Sequence, residues 1–155
     1  MMEAKLRGTR LPPPDQVCVV VRDVDRAIEY YESVFGLGPF RVMETATKDM
    51  AYKDWTGTVR LKTAFAQMGP IELELIQVVE GETPHSEFLR QKGEGLHHLR
   101  FRVDDLEKTL AELARCGIEP VWKHNYVKAG VSFAYLNTDQ IGGAMFELIE
   151  YRQRP

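Results

Sequence analysis

The stretch Gly95–Asp105, GLHHLRFRVDD, decides how this chain is read. Two histidines follow an entry glycine. Leu99–Val103 then alternates apolar and basic residues, as a half-buried strand does. Asp104 and Asp105 each offer a side-chain oxygen to the unpaired N–H groups of a helix about to start. Asp15–Asp25, DQVCVVVRDVD, repeats the plan: Gln16 stands where His98 stands, Val17–Val21 where Leu99–Val103 stand, and Asp23 where Asp105 stands. Self-similarity of this kind predicts two copies of one supersecondary unit, with an amide and a histidine at equivalent positions.

Working outward, the first copy predicts a buried β-branched strand at Val17–Val21 and a helix capped by Asp23. Val24, Ala27, Ile28, Tyr31, Val34 and Phe35 would form the apolar face of that helix, and Gly36 its left-handed stop. After the Gly38–Pro39 turn comes a short strand, Phe40–Met43, then polar, irregular chain over 44–58. Val59–Gln67 and Ile71–Val78 read as a hairpin around Met68–Gly69–Pro70. Residues 81–94 read as a polar linker with at most one helical turn, at Ser86–Arg90. The second copy gives a strand at Leu99–Val103 and a helix carrying Leu106, Leu110, Leu113 and Ala114, stopped near Gly117. A short strand at Pro120–Trp122, a loop over Lys123–Lys128, and the strands Val131–Leu136 and Ala144–Ile149 follow.

Each half is therefore β-α-β-β-β. The expected fold class is α+β: two βαβββ repeats forming paired mixed sheets around a metal-binding cleft. The expected divisions are a loose tail over 1–14, a first module over 15–80, a linker over 81–94 and a second module over 95–155. At 155 residues this is one domain of ordinary size. A formal net charge of −3 and no long basic run argue against nucleic acid as the main partner. No apolar run is long enough for a bilayer, and the first residues lack the apolar segment of a signal peptide. Cys18 and Cys116 are read as small buried apolar groups rather than a disulfide, and the expected compartment is the cytoplasm.

Strand periodicity chooses the candidate site. If Val17, Val19 and Val21 face their helix, Gln16, Cys18 and Val20 face away; likewise His98, Arg100 and Arg102 face away in the second copy. The closing strand of each half carries a glutamate among apolar residues, Glu74 in IELELIQ and Glu147 in AMFELIE. A buried lone carboxylate is costly, and a divalent cation shared by Gln16, Glu74, His98 and Glu147 satisfies all four groups.

The residues that carry this constellation also carry a resemblance. VRDVDRAIEYYESVFGLGPF, GLHHLRFRVDDLEKTLAELARCGIEP and GGAMFELIE are similar to segments of the vicinal oxygen chelate superfamily, which includes glyoxalase I, methylmalonyl-CoA epimerase, extradiol dioxygenases and antibiotic-resistance proteins. FLRQKGEGLHH and FELIE most resemble the epimerases. The resemblance implies metal ligands at Gln16, Glu74, His98 and Glu147, with His98 rather than His97 as the ligand. It implies Zn, Ni, Co or Mn, and a metal that holds a substrate carbonyl oxygen while a carboxylate, Glu147, moves the neighbouring proton. The chain departs from the pattern at three places. The epimerases' second base falls on Thr58, with Asp49 and Asp54 nearby as substitutes, and the glutathione contacts of glyoxalase I fall on Val20 and Val78.

The expected function is thus a divalent-metal-dependent isomerase, epimerase or lyase acting beside a carbonyl. The alternative is a non-catalytic protein that sequesters a ligand. An extradiol dioxygenase would need histidines where Gln16 and Glu74 stand. Arg100, Lys62 and Trp55 are the candidate substrate contacts, with Phe40, Tyr52 and Trp122 as further aromatic lining and Lys123–Lys128 as a covering loop. A cleft-facing arginine predicts an anionic carbonyl or acyl-CoA substrate. A homodimer is expected.

Overall fold

The computed structural model describes residues 7–152. They fall into two compact units, one formed by residues 15–99 and the other by residues 7–14 with 100–152. In chain order the elements are β1 (Gln16–Val20), α1 (Val24–Phe35), β2 (Arg41–Tyr52), β3 (Trp55–Met68), β4 (Ile71–Glu80), α2 (Pro84–Lys92), β5 (Gly95–Arg102), α3 (Leu106–Ala114), β6 (Pro120–Tyr126), β7 (Val131–Leu136) and β8 (Met145–Tyr151). The βαβββ plan is present twice, so the α+β class and the repeat are as expected. The boundary between the units falls inside β5.

In the first unit β1 runs parallel to β4, while β3 lies antiparallel to both β2 and β4. Asp23 caps α1, its carboxylate accepting from the Arg26 N–H at 3.1 Å. Gly36 ends the helix at φ +65°, a conformation that costs other residues steric strain. Val24, Ala27, Ile28 and Tyr31 of α1 pack with Val21, Leu73 and Leu75 on one face of the sheet. Each such buried aliphatic side chain contributes about 1.5–3 kcal/mol. Val34 and Phe35, expected on that face, are instead exposed. They lie in the last turn of α1, beyond the reach of the apolar face that Val24–Tyr31 presents.

The other face carries Cys18, Val20 and Ile76, covered by Phe88 and Leu89 of α2. The expected linker is therefore a packed helix. Thr83 and Ser86 form a reciprocal capping box, Pro84 takes the first turn, and Pro84, His85 and Ser86 are buried. The stretch 44–58 is also ordered, as the end of β2 and the start of β3; its polarity reflects an exposed strand, not irregular chain.

In the second unit β7 pairs antiparallel with β6 and β8. Asp105 caps α3 through the Lys108 N–H at 2.9 Å, and Glu150 accepts from the Leu106 N–H at 2.7 Å. Lys123–Tyr126, expected as a loop, continues β6, and Val127–Ala129 forms one 3-10 turn. No helix among the described residues is long and apolar enough to cross a membrane.

Candidate metal centre

The register of β1 against β4 sets Gln16 beside Glu72 and Cys18 beside Glu74. Leu73 and Leu75 point to α1, so Gln16, Cys18, Glu72 and Glu74 occupy the opposite face, as strand parity predicts. Gln16 is buried and donates its amide N–H to Glu72 Oε1 at 2.8 Å. The amide oxygen is the atom this residue has to offer a cation.

His98 joins this face from β5. It is fully buried, and its Nε2 lies 3.6 Å from Glu74 Oε2. That separation is too long for a hydrogen bond, and it is close to the roughly 3.4 Å that separates two ligands of one tetrahedral zinc. Cys18 completes a buried triad with them: one potential ligand atom from each of Cys18, Glu74 and His98 lies within 4.8 Å of the others. The donors are an imidazole, a carboxylate and a thiol, with an amide oxygen one register step away, and they fit a borderline divalent ion. The sequence predicts Cys18 as a small buried apolar group. Its burial bears that out, but its position among donors was legible in its spacing, two residues after Gln16 on the same strand face. Cys116, expected buried, is exposed just after α3.

A second cluster adjoins the first. Potential ligand atoms of His85, His97 and His98 also lie within 4.8 Å of one another, and all three residues are buried. Burial, then the neighbouring His98, pushes the His97 pKa down to about 3; burial, then His97 and His98, holds His85 well below the usual imidazole range. Both rings are neutral at physiological pH. His85 escaped sequence reasoning because it sits in a polar stretch. The signal that finds it is the Thr83–Pro84–His85–Ser86 cap, which places it in the first turn of a helix.

Glu147 lies in the second unit, buried on β8 and paired in register with Tyr135. Glu150 of the same strand serves α3, so Glu147 points to the other face, which Tyr135, Phe133 and Trp122 share. Trp122 meets the Phe133 ring edge to face at 5.1 Å.

Of the expected substrate contacts, Lys62 alone is placed on another face. Lys62 is on the α1 side of the sheet, in register with Gln77, and donates to Asp25 at 2.6 Å. Its ammonium pKa is raised by that hydrogen bond first. It is turned away from the Glu74 face, because β3 alternates and it is Phe65 that pairs with Glu74. Trp55 is half-buried with its indole against Gly57 and Gly81, where a Cβ would come within 2.6 Å and 2.9 Å of the ring. Phe40 packs with the α1 core. Arg100 is half-buried on β5, while Arg102 is exposed with its guanidinium 4.7 Å over the Tyr151 ring. Asp49 and Asp54 are exposed at the end of the β2–β3 hairpin.

The α+β architecture, with the βαβββ plan present twice, is that of the glyoxalase fold. The profile of the Glyoxalase/Bleomycin resistance protein/Dioxygenase superfamily matches residues 15–135, and the chain belongs to that superfamily. Its members generally bind divalent metals. An uncharacterized protein of Bacillus subtilis, YqjC, is 28% identical over 137 residues, covering 88% of this chain and 90% of its own. The structure of a Streptomyces coelicolor methylmalonyl-CoA epimerase in complex with 2-nitronate-propionyl-CoA superposes with a TM-score of 0.68 at 19% identity, covering 93% of this chain and all of that one. The methylmalonyl-CoA epimerase of Mycobacterium tuberculosis gives 0.65 at 24% identity, with 98% and 94% covered. At these identities the likeness is one of fold.

Proposed function

We propose that this chain is a divalent-metal-dependent isomerase or lyase that removes a proton from the carbon beside a substrate carbonyl. The observation that carries the reading is the buried Glu74–His98 pair at ligand spacing, flanked by Cys18 and Gln16. A bound divalent ion would polarise the carbonyl and lower the barrier to loss of the adjacent proton. Glu74 and His98 would hold the ion, Gln16 would offer its amide oxygen, and the sulfur of Cys18 would bias the site toward Zn, Co or Ni over Mg. Glu147 is retained as further ligand and as the base. Support for it is its burial on β8, on the strand face turned away from α3.

One-base chemistry is the favoured form. On the Glu74 face, β2 and β3 present Met43, Thr45, Thr63 and Phe65; Thr58 stands where the epimerases' second carboxylate would be expected. The substrate class kept in this reading is an anionic carbonyl compound, acyl-CoA thioesters included, with Arg100 as its contact.

The test is solvent exchange. Metal-loaded protein is incubated in deuterated buffer with branched acyl-CoA thioesters and with hemithioacetals of 2-oxoaldehydes, and deuterium at the carbon beside the carbonyl is followed by NMR. Exchange in the wild type, lost in Glu147→Gln with metal retained, supports the reading. A protein that binds metal and ligand but exchanges no proton is a sequestering protein, and the reading falls.

A further inference from the structure

His97 and His98 face each other through the same ring atom. Their Nδ1 atoms are 3.0 Å apart, and both residues are buried, at 2% and 0% exposure. Two imidazole lone pairs do not meet at that distance, so one ring carries the proton and the other accepts it. The remaining nitrogen of His98, Nε2, is the one turned to Glu74. An imidazole binds a cation through a lone pair, and the hydrogen bond made by its other nitrogen decides which tautomer is present.

We infer that His97 is a positioning residue: its Nδ1 accepts the Nδ1–H of His98, which fixes the His98 tautomer and ring orientation so that the Nε2 lone pair points at Glu74 and Cys18. This rests on the reading of His98 as a metal ligand. His97 is suited to the task because its own ring is wedged. The Phe88 ring meets it edge to face at 5.2 Å, and the His85 ring lies 4.5 Å from it. Both neighbours come from α2, so the capping box at Thr83–Ser86 that starts this helix also fixes the acceptor behind the metal ligand. The histidine adjacent in sequence is thereby assigned a role that is neither ligand nor filler. It gives α2 a function too, as the element that clamps the ring.

Two measurements test it. Long-range nitrogen–proton correlation spectra of 15N-histidine-labelled, metal-free protein, with His98 assigned through His98→Gln, read the tautomer directly. The expected result is a His98 proton on Nδ1; a wild-type proton on Nε2 overturns the inference without any change to the hydrogen-bonding partner. Chelator competition with Zn and Co reads the consequence. His97→Phe is expected to weaken binding about 10–100-fold, the usual effect of losing such a partner. His97→Asn, whose side-chain oxygen accepts from nearly the same place, is expected to restore it to within a few-fold. Equal affinities of wild type and His97→Phe, with matching circular dichroism, overturn the positioning role and leave the metal centre standing. A wild type that takes up no metal overturns the metal centre itself, and with it the role of His97. Loss of metal in His85→Phe as severe as in His98→Gln would make the three histidines a ligand set, and would likewise overturn the inference.

Discussion

The Tyr52 hydroxyl donates to the Glu87 carboxylate, joining the end of β2 to the first half of α2. Lys53 donates to the same carboxylate from the hairpin turn. These hydrogen bonds, Lys53's first and Tyr52's second, hold the Glu87 carboxyl below its ordinary 4.5. A depressed carboxyl stabilises the fold fully above the unfolded value, and that contribution is lost as pH falls through the folded one. Tyr52→Phe is expected to lower stability by about 1 kcal/mol at pH 7, since the pair is only partly buried and the Lys53 pair is exposed. The difference between mutant and wild type should shrink in thermal melts as pH falls below 4.5 and through the depressed Glu87 value. A constant difference across that range would mean that packing of the ring, not the charge on Glu87, is what α2 depends on.

Metal content should follow the Glu74 face. Protein purified without added metal is expected to hold about one divalent ion per chain, and chelation should lower the melting temperature. Glu74→Ala and His98→Ala should each abolish binding. Cys18→Ser should spare Mn affinity while weakening Zn by about tenfold, because the change replaces a soft donor with a hard one. Unchanged Zn affinity in Cys18→Ser would remove the sulfur from the donor set and leave Gln16 as the better candidate.

Arg100→Met is expected to raise KM for anionic substrates about tenfold or more, with metal content and melting temperature nearly unchanged. Comparing a substrate acid with its neutral amide makes the result interpretable: equal losses on both would assign Arg100 to the fold and not to the ligand.

Gly81 has φ +94°, and a Cβ there would stand 2.6 Å from the Thr58 carbonyl oxygen as well as against Trp55. Gly81→Ala is therefore expected to destabilise by about 2–3 kcal/mol, combining backbone strain with displacement of rigid neighbours. Denaturant titration checks it. Gly69→Ala, where nothing lies within 4 Å of the added methyl, is the control and should cost less.

What the sequence made legible was whatever obeys a strong period. The β-branched run Val17–Val21 predicted which side chains share a face with Gln16, and the aspartates at 23 and 105 predicted both helix caps. What it hid lay in segments whose polarity has a different cause. β2 is exposed over most of its length, so it lacks the alternation that marks a half-buried strand. The buried residues of α2 are Pro84, His85 and Ser86, so its apolar signal reduces to Phe88 and Leu89. The side that Lys62 faces depends on how β3 is registered against β4, which the residues of β3 alone do not state. The register with Gln77, visible only in the paired sheet, puts it on the α1 side. Glu74 and His98 were legible by different signals: Glu74 interrupts an apolar strand, and His98 stands where Gln16 stands in the repeat.

The contrast between the two thiols gives the molecule a built-in reporter. Neither cysteine is in a disulfide; Cys116 is open to solvent and Cys18 is sealed under α2. A small alkylating reagent should modify Cys116 within its ordinary reaction time and reach Cys18 only during excursions that lift α2 or separate β1 from β4. The slow phase of mass gain therefore counts those excursions directly, without any label or engineered probe. Ligand that occupies Cys18 should slow that phase while leaving the fast one alone, so a single time course separates a guarded site from a merely stable fold.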